Sequence, residues 1–100
     1  MNELYSLNFD SQDNLFRVGG ELTFATVNAL LELAPQLFDS HHKLNIDLAE
    51  VTRSDSAGLA LLIDWMRLAK TTNKEIMFYN IPTQLLAIAN ASGVDKLLPV

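Results

Sequence analysis

The alternation of apolar and polar residues at the start of the chain predicts an antiparallel hairpin. Two short runs rich in β-forming residues, 4–9 and 14–18, are separated by the turn-forming residues 10–13. Gly19-Gly20 follows the second run and is predicted to end that strand. Thr23 is then the predicted N-cap of a first helix, because its hydroxyl can accept from a free backbone N–H.

The first helix is predicted from apolar residues that recur at helical spacing. Pro35 lies inside this pattern and has no N–H to donate to the carbonyl of Leu31. We therefore expect a kink near Leu31 or an irregular last turn. The apolar face comprises Val27, Leu30, Leu31, Ala34 and Phe38.

The central stretch, residues 45–70, passes from a strand through a short polar turn into a long helix. Leu44, Ile46 and Leu48 alternate with polar residues, which is the period of a strand, and Val51 continues the apolar character. The turn is Asp55-Ser56-Ala57-Gly58, with Asp and Ser both favoured as helix caps. The helix after it repeats apolar residues at Leu59, Leu62, Ile63 and Met66.

The remaining residues predict one more strand, one more helix and a packed tail. Residues 75–79 form the strand, and Pro82 suits the first turn of the last helix. Ser92-Gly93 is the predicted C-cap. The tail is expected to pack on the domain through Val94, Leu97 and Leu98.

The predicted order is β-β-α-β-α-β-α within one domain that covers residues 1–100. Right-handed crossovers between the later strands would make them parallel. The fold class is therefore α/β, with a four-stranded mixed sheet and helices mainly on one face.

Composition and charge exclude several classes of function. The chain has no cysteine, and the adjacent pair His41-His42 has no third ligand at metal spacing. We therefore expect both histidines to be solvated loop residues. We expect the protein to bind neither a metal nor a cofactor. The formal net charge of −5 opposes nucleic acid or anionic lipid as a direct partner. The N-terminus does not resemble a signal peptide, and the longest apolar run is too short to span a bilayer.

Ser56 is the residue that invites a catalytic interpretation, as a nucleophile beside Asp55. A serine nucleophile needs a base, and both histidines precede the central strand, so we expect them at its opposite end. The chain also lacks the nucleophile-elbow, P-loop, zincin and dinucleotide motifs. The sequence predicts no enzyme, and it leaves Ser56 as a helix cap, a contact residue or an acceptor of phosphate.

The central helix carries more apolar surface than one core needs. At about 100° per residue, its large apolar residues cover roughly 220°, well beyond the ~100° that faces a core. Cover by neighbouring helices and exposure to a partner both stay open for Leu61, Trp65 and Leu68. A separate row lies on the same helix, which is the second predicted helix (α2, residues 56–70), and we call it the α2 row. It comprises Ser56, Ala60, Ile63 and Arg67. Because it begins with the hydroxyl at the helix start and ends with an arginine, it resembles a docking strip.

Three motifs give the chain a family resemblance that covers nearly its whole length. Gly20-Glu21-Leu22 follows a strand, residues 45–48 read N-I-D-L, and residues 55–59 read D-S-A-G-L at the start of a helix. This arrangement resembles the STAS domain of bacterial anti-sigma factor antagonists. Within that family it is most similar to the MlaB-type subunit of the Mla phospholipid-transport ABC complex.

The resemblance implies a cytoplasmic regulator or stabiliser that binds the transporter's ATPase subunit, peripheral to the inner membrane through that partner. It also implies an alternative, an anti-sigma factor antagonist that meets a kinase and is phosphorylated on Ser56. Thr23 stands where phosphorylated antagonists usually carry Asp, which favours docking over kinase-driven switching. A lipid-binding protein is a third, weaker hypothesis. The predicted partner-binding residues are Thr23, Ser54, Asp55, Ser56, Ala57, Gly58, Ala60, Ile63 and Arg67.

Overall fold

The computed structural model describes residues 4–100, so the first three residues of the predicted domain lie outside the described part. Within it, the element order is the predicted β-β-α-β-α-β-α, followed by a short 3-10 helix, Asp95–Leu97. No helix in these residues is long and apolar enough to cross a membrane. The elements are β1 (Tyr5–Asp10), β2 (Leu15–Leu22), α1 (Val27–Phe38), β3 (Lys43–Ser54), α2 (Ser56–Thr71), β4 (Glu75–Tyr79) and α3 (Thr83–Ala91).

The strands form one mixed sheet in the order β1-β2-β3-β4. β1 pairs with β2 antiparallel, as in the predicted hairpin, with Phe9 opposite Phe16. β2 pairs with β3 and β3 with β4 in parallel, which places Ile46 between Phe16 and Phe78. The predicted four-stranded mixed sheet is confirmed.

The hydrophobic core lies between one face of the sheet and the helices. Alternate residues of the strands point to this face, because side chains alternate across a strand. Trp65 of α2 packs edge-on against Phe38 of α1, with ring centroids 5.5 Å apart. The fully buried side chains of the core include Phe16, Val18, Leu30, Phe38, Leu44, Ile46, Leu48, Leu62, Trp65 and Leu85.

The opposite face of the sheet carries an ion cluster around Arg17. Its guanidinium donates to the carboxylates of Asp10, Asp13 and Asp47. Asp47 is buried, and its Oδ2 lies 2.8 Å from Nη1 of Arg17. The pKa of Asp10 lies below its ordinary value of 3.8, first because its carboxylate accepts the backbone N–H of Asp13 and second because it accepts a hydrogen bond from Arg17. The cluster ties the hairpin to β3.

The structure corrects the predicted end of the second strand and start of the first helix. β2 continues through Gly19 and Gly20 to Leu22, because those residues pair with β3 across an irregular register. α1 begins at Val27, so Thr23 is not its N-cap. The carbonyl of Thr23 instead accepts the N–H groups of Thr26 and Val27 in a tight turn before the helix.

The first helix continues through Pro35 to Phe38 as an α-helix, so the irregular last turn is not observed, and the kink near Leu31 stays a prediction. Proline removes one backbone hydrogen bond there. Ala34 and Phe38 are fully buried on either side of it, and their packing holds the last turn in helical form. The predicted apolar face of this helix is confirmed.

Two expectations about solvent exposure are wrong. His42 is exposed, but His41 is half-buried, with its ring 4.3 Å from that of Phe9. The ammonium of Lys74 donates to the carbonyl of His41 and so holds this loop against the sheet. In the tail, Leu98 is buried as expected, whereas Leu97 is 67% exposed at the end of the 3-10 helix.

Neighbouring elements cover the surplus apolar surface of the central helix. Leu61 and Trp65 are buried and Leu68 is half-buried. Of the two explanations that the sequence left open for these three residues, cover by neighbouring elements is therefore the right one.

The last helix, α3, starts at Thr83, and Pro82 is the residue before it rather than part of its first turn. Ser92-Gly93 ends the helix as expected.

Gly20→Ala is expected to destabilise the fold strongly. Gly20 has a φ of +80°, and a Cβ there would collide with the carbonyl oxygen of Leu4, which accepts the N–H of Glu21. The matched control is Gly93→Ala, where φ is +75° but nothing lies within 4 Å of the added carbon. Denaturant unfolding should give a loss of about 1 kcal/mol for Gly93→Ala and roughly 3 kcal/mol or more for Gly20→Ala. Equal losses would contradict the tight contact.

Candidate functional site

The Asp55-Ser56 turn lies where the ends of β2 and β3 meet the start of α2. The N–H of Asp55 donates to the carbonyl of Leu22 at 3.1 Å. Gly58, in the first turn of α2, approaches the same residue so closely that a Cβ would lie 2.6 Å from the carbonyl oxygen of Leu22. The glycine therefore permits the contact between helix and strand.

The carboxylate of Asp55 joins two segments of the chain. Its Oδ1 accepts the N–H of Ala57 at 2.8 Å, so Asp55 is the N-cap of the central helix, as predicted. Its Oδ2 accepts the N–H of Phe24 at 3.3 Å from the loop between β2 and α1. One side chain thus fixes the helix start and the loop beside it.

Two buried threonines hold the loop between β2 and α1 in place. The hydroxyl of Thr26 donates to the carbonyl of Glu21 at 2.7 Å and accepts the N–H of Thr23 at 3.1 Å. The hydroxyl of Thr23 accepts the N–H of Ala25 at 3.3 Å. These bonds leave the side chain of Phe24 projecting from a fixed backbone, 75% exposed.

The α2 row reaches the protein surface. Ser56, Ala60 and Arg67 are exposed, and Ile63 is half-buried. The guanidinium of Arg67 lies 3.1 Å from a carboxylate oxygen of Asp64 in an exposed ion pair, which contributes little to stability. The row therefore offers a small hydroxyl, a methyl group and an aliphatic side chain on a rigid helix.

Four of the predicted site residues are buried beneath this surface. Ser54 is 3% exposed, and Thr23, Ala57 and Gly58 are also buried. Their side chains shape and support the helix start. The role in partner binding stays a prediction for all nine residues of the site.

Ser54 has an unusual environment for a serine. Its N–H donates to Oε1 of Gln84 at 3.2 Å, which ties α3 to the end of β3. Its hydroxyl oxygen is buried and has no hydrogen-bond partner among residues 4–100. A buried polar group without a partner destabilises a fold.

Neither acid–base nor metal chemistry is assembled around Ser56. His41 and His42 precede β3, and the twelve residues of that strand separate them from Ser56, as predicted. In the part of the chain that the structure describes, no group of three or more His, Cys, Asp or Glu side chains could hold a metal ion.

Hydrophobic periodicity did not identify Phe24. Helical periodicity and strand alternation find buried apolar residues, and position 24 belongs to neither pattern because it lies in a loop. The only available indication was a large aromatic residue between a strand end and a helix start, next to a motif already of interest.

Comparisons with known proteins agree with the fold. A family model described as Mlab, STAS domain, matches residues 5–99. The anti-sigma-B factor antagonist of Staphylococcus epidermidis is 28% identical over 85 residues, which cover 84% of this chain and 79% of that protein. The protein of the same name from Staphylococcus aureus strain NCTC 8325 / PS 47 is 28% identical over 93 residues, 90% of this chain and 86% of that one.

The fold is also similar to a solved structure. The anti-sigma factor antagonist SpoIIAA in its unphosphorylated form superposes with a TM-score of 0.69 at 16% identity. The match covers 94% of this chain and 84% of SpoIIAA. The likeness at this identity supports the arrangement of strands and helices.

Ser54→Ala is expected to leave the free energy of unfolding unchanged or to raise it by up to about 1 kcal/mol, because the hydroxyl that it removes is buried without a partner. The contrast is Thr26→Val, which strands the N–H of Thr23 and the carbonyl of Glu21 and should cost about 2 kcal/mol. Chemical denaturation of both variants measures the difference. A clear loss of stability in Ser54→Ala would show that the hydroxyl has a bonding role.

Proposed function

The chain belongs to the STAS domain family, and on that premise we propose that it is a non-enzymatic subunit that binds the ATPase of an ABC transporter for phospholipid transport. The α2 row supports the proposal most directly, because it is an exposed strip at the start of the central helix in a chain matched by the Mlab family model. Binding would stabilise or regulate the ATPase.

The small side chains of the α2 row suit close protein contact. Ser56 and Ala60 lie one turn apart and are exposed, so a partner can approach the helix backbone closely. Ile63 continues the strip with an aliphatic surface, which binding would remove from water. The buried residues below it keep this helix face in a fixed geometry before binding.

This function places the chain in the cytoplasm, held at the inner membrane through its partner. Its charge of −5 disfavours direct attachment to anionic lipid or nucleic acid. The absence of an imidazole beside Ser56 in the described residues supports a binding role rather than a hydrolytic one.

A second candidate function is that of an anti-sigma factor antagonist controlled by phosphorylation. It is favoured by the exposed hydroxyl of Ser56 at a helix start and by the names of the staphylococcal relatives. Incubation with ATP and the switch kinases of the same organism would then add the mass of one phosphate to the chain and none to Ser56→Ala. An unchanged mass of the wild-type chain would argue against this candidate.

Ala60→Arg is expected to abolish co-purification with the ATPase subunit of such a transporter from the same organism, because a long charged side chain would stand in the middle of the docking strip. A loss of about 2 kcal/mol, or roughly 30-fold in Kd, is expected from one such change at an interface centre. Ser56→Glu, which is compatible with a helix start, should act in the same direction.

The matched control is Ala87→Arg, the same substitution at an exposed position of α3. It should leave the affinity unchanged, and circular dichroism should show that all three variants are folded. Wild-type affinity in Ala60→Arg would count decisively against this docking site.

A further inference from the structure

Phe24 is the most exposed aromatic side chain in the described residues, and its backbone N–H is bonded to Asp55. We propose that Phe24 is the anchor residue of the docking surface, seated in an apolar pocket of the partner protein whose rim carries basic groups. The docking surface comprises Phe24 and the α2 row. This inference rests on the proposed function, since it assumes that the partner approaches the start of α2.

The loop around Phe24 is pre-organised. Its N–H donates to Asp55, and the hydroxyls of Thr23 and Thr26 bond to backbone groups on either side. Both threonines are buried, so this support lies inside the fold. A side chain held in this way loses little backbone freedom on binding, which lowers the entropic cost of association. Single exposed apolar residues are common on proteins, so exposure alone does not distinguish Phe24; the hydrogen bonds that fix its loop do.

Phe24 is continuous with the α2 row through Asp55. The carboxylate that accepts the N–H of Phe24 also caps α2, and Ser56 is the next residue in the chain. A partner that covers the exposed side chain of Ser56 therefore also meets the loop that carries Phe24. Large aromatic side chains that fill a pocket near the centre of an interface carry much of its binding energy.

The charges around Phe24 indicate the chemistry of the partner. Two carboxylates bond to the loop that carries Phe24: Asp55 accepts its backbone N–H, and Oε1 of Glu21 accepts the hydroxyl of Thr23 at 3.3 Å. Arg53 lies opposite Glu21 in the sheet but forms no ion pair with it in the described residues. A pocket with Lys or Arg at its rim complements these charges. A second copy of the chain would bring carboxylates against carboxylates, and an anionic membrane would be repelled in the same way.

Phe24→Ala tests the anchor. In titrations of the purified ATPase subunit of such a transporter from the same organism, the variant should bind at least about 30-fold more weakly than the wild type. Leu97→Ala is the matched control, since Leu97 is 67% exposed in the C-terminal tail, and its Kd should stay within about twofold. Phe24→Leu should recover part of the affinity because it restores apolar volume.

The outcomes separate this inference from the proposed function. Wild-type affinity in Phe24→Ala, together with a loss in Ala60→Arg, would overturn the anchor and keep the docking site. No binding by the wild-type chain would overturn both. Sedimentation that shows a dimer lost in Phe24→Ala, or pelleting with phosphatidylglycerol vesicles lost in the same variant, would assign Phe24 to another occupant and overturn the proposed partner.

Glu21→Gln tests the basic rim, because the amide oxygen can still accept the hydroxyl of Thr23 while the charge is gone. Its affinity at low salt should be lower than that of the wild type, and its Kd should depend less on salt concentration. The same affinity and the same salt dependence as the wild type would contradict a basic pocket rim.

Discussion

The close contact between the first turn of α2 and the end of β2 is the constraint on which the site depends. Gly58 allows the helix to reach Leu22, and the N–H of Asp55 bonds to the same residue. The carboxylate of Asp55 then fixes both the helix start and Phe24. A single junction therefore sets the position of the core helix and of the exposed residues beside it.

The same junction explains how a modification at Ser56 would act. A phosphate there would place a charge of about −2 at the N-terminal end of a helix, which favours anions, but beside the Asp55 carboxylate, which already accepts the N–H of Ala57. Repulsion between the two anions would strain the bonds from Asp55 to Ala57 and Phe24. Under either function, a change at Ser56 would thus reach Phe24 as well as its own side chain.

Local sequence patterns predicted the elements that depend on local physics. The alternation of Leu44, Ile46 and Leu48, and the capping chemistry of Asp55, led directly to β3 and α2. The errors came from non-local contacts: Gly19 and Gly20 look like a strand end, but pairing with β3 keeps them in the sheet. Burial of Ser54 and exposure of Phe24 depend on which elements cover them, and no periodicity encodes that.

Mapping of the contact surface tests the docking account most directly. The isotope-labelled chain would be titrated with the unlabelled ATPase subunit while its backbone amide resonances are followed by NMR. If the partner docks at the start of α2, the largest shifts of the amide resonances should occur at Phe24, Ser56 and Ala60. The resonances of Asn45 and Tyr79, on the opposite face of the sheet, should shift little. Changes centred on Asn45 and Tyr79, with those of the helix start unaffected, would contradict it.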